Sequence, residues 1–161
     1  MNSAARELKI LLERQHQNVL RLTAILQDER TALTSGAVPS VEAATAAKQD
    51  CLQALEHNMQ IHLDWLAQSG LAADEHGIVT HLRCCDPDGQ LGLESRWRKI
   101  KESLSRCREQ NLLNGKIVII HQRQTQQALA ILRGGAAQDE TCYSPKGHAP
   151  NGIASRTLGR V

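Results

Sequence analysis

Asn111-Leu-Leu-Asn-Gly-Lys-Ile-Val-Ile-Ile-His-Gln-Arg-Gln-Thr-Gln-Gln-Ala-Leu-Ala-Ile-Leu-Arg133 is the second half of a stretch, Gly92 to Arg133, that reads as one long helix. Apolar residues stand at Leu93, Trp97, Ile100, Leu104, Cys107, Leu112, Leu113, Ile117, Ile120, Ala128, Ile131 and Leu132. Their spacing is mostly three or four, which places them on one stripe of a helix. Between Leu112 and Ile120 the stripe widens to take in Val118 and Ile119. A helix that is apolar on more than one side has more than one partner. One partner must come from the rest of the chain.

Proline and glycine mark where that partner begins and ends. Neither occurs in residues 1–35 or 40–69, and Gly115 is their sole occurrence in residues 93–133. The breaks fall at Ser-Gly-Ala-Val-Pro (35–39), Ser-Gly (69–70), Asp-Pro-Asp-Gly (86–89) and everything after Gly134. The first helix is therefore predicted over 3–34, with Ser3 as N-cap. Leu8, Leu12, Gln15, Val19, Leu22, Leu26 and Leu33 form a heptad seam, broadened by Leu11 and Ile25. At 1.5 Å per residue this helix is roughly 45 Å long. The second helix is predicted over 40–68, with Ser40 as N-cap. The short turn before it folds the two into an antiparallel hairpin. Residues 72–85 make a short third helix, its start favoured by Asp74 or Glu75. The last long helix, over 91–133, folds back along the hairpin, because nothing else in the chain covers its stripe. Residues 134–161 are turn-rich and poor in large apolar groups, and read as a flexible tail whose one aromatic is Tyr143. The expected fold is all-α: an elongated antiparallel bundle or coiled coil of three long helices and one short one, with a tail.

Composition agrees. The chain has 161 residues, enough for one domain, with no Phe and only two Trp and one Tyr, so Leu, Ile, Val and Ala build the core. The net charge of +2 is too small to argue for nucleic acid, but it is unevenly spread. Residues 35–90 carry eight carboxylates against two basic groups, and residues 91–133 nine basic groups against three carboxylates. Two such segments attract along their rims when packed side by side. The basic run Arg96, Arg98, Lys99, Lys101, Arg106 and Arg108 is interleaved with Glu94, Glu102 and Glu109 and reads as a solvated face. Five cysteines at irregular spacing fit a reducing compartment. With no signal-peptide core and no long apolar run, the expected location is cytoplasmic.

Catalytic patterns are missing: no glycine-rich phosphate loop, no shielded carboxylate pair, no nucleophile elbow. No enzymatic activity and no cofactor are expected. His76, His81, Cys84 and Cys85 form the one metal-like cluster, but they lack the paired spacing of zinc ligands, and no metal is expected. His57 and His62 read as ordinary helix residues. Asn111 and Asn114 stand within the apolar seam, where asparagine can fix helix register. Gly115 in mid-helix costs about 1 kcal/mol against alanine and reads as a packing notch.

Two long heptad helices, a last helix with Asn-Leu-Leu-Asn-Gly-Lys-Ile-Val and Ala-Leu-Ala-Ile-Leu, and Tyr-Ser-Pro-Lys-Gly at 143–147 together resemble the FlgN family of flagellar type III export chaperones. The resemblance implies a cytoplasmic binding protein for the C-terminal helical segments of hook-filament junction proteins (FlgK/FlgL-like). It also implies delivery to the cytoplasmic domain of the export gate. Carried onto this sequence, the client surface is about Leu113 to Leu132, with Leu113, Ile117, Ile120, Gln124, Ala128 and Ile131 as its contacts. Tyr143 is the export-gate contact. The bottom-up reading supports an amphipathic helix laid against an apolar face. The alternatives are a structural coiled-coil scaffold or homodimeric subunit, and, behind it, an enzyme or metal protein using His76, His81 and the cysteines.

Overall fold

The computed structural model describes residues 3–139, with side chains from 3 to 133. Among the described residues four helices follow in order: α1 (Ser3–Ser35), α2 (Val38–Gln68), α3 (Glu75–Cys85) and α4 (Leu93–Asp139). There is no strand among the described residues. The chain divides into two units, Met1–Ile120 and His121–Val161. The first holds α1, α2, α3 and the part of α4 up to Ile120. The all-α expectation is met.

The heptad seam of α1 organises the first unit. Leu8, Leu12, Gln15, Val19, Leu22, Leu26, Glu29 and Leu33 are all buried, and Glu29 fills the step between Leu26 and Leu33 that apolar spacing leaves open. Leu11, Ile25 and Ala32 form a second buried line beside it, so α1 has two neighbours, as its breadth predicts. One is α2, running antiparallel. Gln15 Nε2 donates to the Asn58 carbonyl (3.3 Å), and Cys51 Sγ donates to the Asn18 carbonyl (3.2 Å). The other is α4, running parallel, with Thr23 Oγ1 and Cys107 Sγ 3.2 Å apart and Asn114 Nδ2 donating to the Leu26 carbonyl at 2.9 Å. Leu8, Leu12, Val19, Leu26, Cys51, His62, Leu66, Leu82, Leu93 and Ile100 are fully enclosed at the centre.

The connections follow turn chemistry. Gly36 takes φ +70° to end α1, a left-handed position that favours glycine. The second helix starts earlier than Ser40: its N-cap is Ala37 and Pro39 lies in its first turn. Proline's fixed φ suits that turn, and its missing N–H would be unbonded there anyway, so Ser40 is taken into the helix. Likewise Ser3 already belongs to α1, where its hydroxyl donates to Glu7 Oε1 at 2.8 Å. Asp74 caps α3, its carboxylate accepting from the Gly77 N–H at 2.7 Å. Gly77 is required there: a Cβ would lie 1.9 Å from the Ala72 carbonyl oxygen. Asp74→Ala is expected to cost about 1 kcal/mol in urea unfolding. The Asp86 carboxylate accepts from the Leu91 and Leu93 N–H groups, which turns the chain into α4.

Two ion pairs join α3 to α4: Lys101–Glu75 follows the charge asymmetry and Arg83–Glu94 runs against it. Lys101 bonds Glu75, and Arg83 Nε lies 2.5 Å from Glu94 Oε1. Both pairs link α3 to α4 at the solvent-exposed rim, where water screens them. Past Arg133, α4 continues to Asp139, so the helix runs six residues beyond the end expected from Gly134-Gly135. The remainder of the expected tail, with Tyr143 in it, lies outside the described residues.

Candidate functional site

In the first unit, α4 carries an apolar face that α1 and α2 leave open. Leu112 is 62% exposed, Leu113 44%, Val118 38%, Ile119 47% and Ile120 52%. Ile117 is half-buried. At 3.6 residues per turn, residues seven apart fall nearly in line. Leu113 and Ile120 therefore form one line and Leu112 and Ile119 another, both directed away from buried Asn114. Large apolar groups gathered in this way mark a surface that binds something. In the second unit Gln124, Ala128 and Ile131 are each exposed, with Leu129 and Leu132 beside them.

Leu112, Val118 and Ile119 were not among the contact residues expected from the sequence. Spacing of three and four from Leu113 selects Ile117 and Ile120, and so follows a single line. The signal for the others is the widening itself: six of the nine residues from Leu112 to Ile120 are large and apolar, more than one seam can take up.

Polar side chains hold the inner side of the same segment. Glu29 Oε1 lies 2.5 Å from Lys48 Nζ, and Glu29 Oε2 accepts from Asn114 Nδ2 at 2.8 Å. Asn114 is 3% exposed and Glu29 6%. Lys48 also donates to Asn111 Oδ1 at 3.3 Å. One carboxylate thus ties α1 to α2 and α4 together.

Gly115 departs from expectation. A Cβ built there meets nothing within 4 Å, so there is no packing notch in the first unit. Gly115→Ala is expected to raise the unfolding free energy by about 1 kcal/mol, measured by urea denaturation.

The metal-like cluster does not assemble. His76 and Cys84 are exposed, His81 and Cys85 half-buried. Among the described residues no three His, Cys, Asp or Glu side chains stand where they could hold an ion. His81 turns instead toward His62, with ring centroids 5.8 Å apart, and Trp97 meets His62 edge-on at 5.9 Å. Burial, with His81 nearby, pushes the His62 imidazole down to about 4. His62, read from sequence as an ordinary helix residue, is a core residue. The cleft that α1 and the 89–92 turn form with the start of α4 is crossed by the Arg96–Glu13 ion pair at 3.2 Å. Its lining mixes Leu12 and Leu91 with polar rim groups.

A helical bundle that leaves an apolar face open on one helix belongs to the class of proteins that bind other chains. The particular family follows from comparison with known proteins: the FlgN protein family model matches residues 1–151, and the chain belongs to that family. FlgN-family proteins are chaperones of flagellum assembly and export. No curated protein and no solved structure matches the chain. Among the described residues no helix is long and apolar enough to cross a membrane.

Proposed function

We propose that this FlgN-family chaperone is cytoplasmic and holds the C-terminal helical segments of hook-filament junction proteins (FlgK/FlgL-like), delivering them to the export gate. The observation that supports this reading is the open apolar face at 112–120. An amphipathic helix covers such a face with residues at i, i+3, i+4 and i+7. Within the first unit the client lies on Leu113, Ile117 and Ile120, flanked by Leu112 and Ile119. Within the second, Gln124, Ala128 and Ile131 are its contacts. Tyr143 touches the gate. A client that folds as it binds spends part of its interaction energy on ordering, which keeps affinity moderate and handover possible.

The test is titration calorimetry with a C-terminal peptide of a junction protein. Leu113→Asp/Ile120→Asp changes two exposed positions, so far-UV circular dichroism should be unchanged. Binding should weaken at least about tenfold, the equivalent of about 1.4 kcal/mol. Unchanged binding overturns the assignment. Light scattering separates the scaffold reading: a stable dimer in which both substitutions abolish self-association would place a second copy on this face instead.

A further inference from the structure

We propose that Lys116 is a specificity-determining residue of the open face, and that the segment seated there is an acidic amphipathic helix. An aspartate or glutamate interrupts the apolar stripe of that helix and pairs with the Lys116 ammonium. The proposal rests on the client reading above and deepens it, since it names the chemistry the client must carry.

Within the first unit Lys116 stands at the centre of the exposed apolar groups. Residues three and four apart on a helix are surface neighbours. Leu113 and Ile119 are three residues from Lys116, and Leu112 and Ile120 are four, so all four border it. Each of the four is exposed, and Lys116 is exposed with them. At about 100° per residue, Lys116 lies about 200° round the helix from Asn114, the residue buried against α1. A helix with its side chains is about 10 Å across. One laid over Leu112, Leu113, Ile119 and Ile120 therefore covers the ammonium between them.

A covered cation needs a counter-charge, because an ammonium taken out of water without one is strongly unfavourable. This chain supplies none. Lys116 takes part in none of the ion pairs formed among the described residues, whereas Arg96 and Lys101, earlier in α4, pair with Glu13 and Glu75. From Gln110 to Arg133 the sequence holds Lys116, Arg123 and Arg133 and no carboxylate. Glu29, on the inner side, is already shared by Lys48 and Asn114. The acid must therefore come from the partner. A second copy of this chain does not bring it, since a two-fold dimer sets the same patch against itself and Lys116 would meet the same carboxylate-free stretch. An anionic lipid surface fits less well. Helices that lie on membranes keep their cations on the polar face, opposite the apolar one, and Lys116 stands inside the apolar one.

Titration calorimetry of the full chain with a C-terminal peptide of a junction protein reads the sign of the effect. Lys116→Met keeps the length of the side chain and removes its charge. With a client carboxylate opposite, that acid is left covered and unpaired, and binding should weaken at least about tenfold. With an apolar group opposite, the wholly apolar face should bind more tightly; tighter or unchanged binding therefore overturns the proposal. Peptides in which each Asp or Glu in turn is replaced by Lys locate the partner. One of them should bind the parent chain weakly and recover at least about tenfold on Lys116→Glu. No recovery with any of them rules out the pairing. Lys116 is exposed, so far-UV circular dichroism of both variants should match the parent. Leu113→Asp/Ile120→Asp keeps the two readings apart. If that pair leaves binding unchanged, the client reading fails and this proposal goes with it. If it weakens binding while Lys116→Met does not, the face holds clients without an acidic contact and only this proposal falls. Sedimentation with mixed phosphatidylcholine–phosphatidylglycerol vesicles should leave the chain in solution. Pelleting that Lys116→Glu abolishes would assign the face to a lipid surface, and a parent dimer that Leu113→Asp/Ile120→Asp abolishes would assign it to a second copy; either overturns the proposal.

Discussion

Lys48→Met should destabilise the first unit by about 3 kcal/mol. Lysine and methionine have similar stems, and the Lys48 side chain is 22% exposed, so little packing is lost. What changes is the environment of Glu29. Its carboxylate, 8% exposed in the side chain, keeps one hydrogen bond, from Asn114, and loses its cation. A buried charge deprived of its counter-charge costs about 3–5 kcal/mol. The lower end applies because the partner reaches solvent. The contrast with Glu29→Leu/Asn114→Leu makes the effect diagnostic. Removing charge and amide together leaves an apolar seam, and replacement of buried ionic groups by well-packed apolar ones is often neutral or stabilising. Urea midpoints for the two variants should therefore move in opposite directions, or the second should stay near the parent. Equal destabilisation by both would mean that packing, not charge pairing, holds this level of the bundle.

The same node shows which parts of this molecule are legible in a sequence. The helices are legible because their apolar residues recur at three and four, and proline and glycine interrupt them only at the turns. The α1 seam is readable to Leu26 and again at Leu33. Glu29 is not, since a carboxylate in a seam position looks like a solvated residue until Lys48 and Asn114 are found beside it. Those partners are 19 and 85 residues away, and no local pattern joins them. Asn111 and Asn114 could be recognised as polar breaks in a stripe, but their acceptors could not. The open face was half visible. Spacing identified Leu113, Ile117 and Ile120, whereas the burial of Ile117 relative to Leu112 and Ile119 depends on how α4 is rotated against α1. That rotation is set by packing. Ser40 failed as a cap for a local reason: Pro39 is compatible with the first turn, so the helix starts before it. Gly115 looked like a notch because close approach is the commoner reason for a mid-helix glycine. The space beside it in the first unit is open.

His62 predicts a loss of stability in mild acid. Its ring is 0% exposed, and neither nitrogen has a protein hydrogen-bond partner. It faces His81 from α3 and the edge of Trp97 from α4. An imidazolium here would bury a charge with two N–H groups and no acceptor, so the folded chain holds the ring neutral down to about 4. The unfolded chain takes up the proton near 6.5. Above pH 6.5 neither state is protonated at this position, and its full contribution to stability is present. Between 6.5 and 4 the unfolded state binds a proton that the folded state refuses, so stability falls as pH falls. Each pH unit below 6.5 removes up to about 1.4 kcal/mol, and about 3 kcal/mol is gone near pH 4. Below that both states are protonated and the contribution of this residue levels off. His81 is also held down by burial and adds in the same direction. His62→Leu removes the titrating ring and two unpartnered nitrogens from the core. Its stability at pH 7.5 should equal or exceed the parent's, and its urea midpoint should fall less steeply from pH 7 to 4.5. Carboxylates titrate in both chains, so the difference between the two curves isolates the histidine. Parallel curves would mean that His62 reaches solvent or a partner on protonation, and that the contact with His81 and Trp97 opens at little cost.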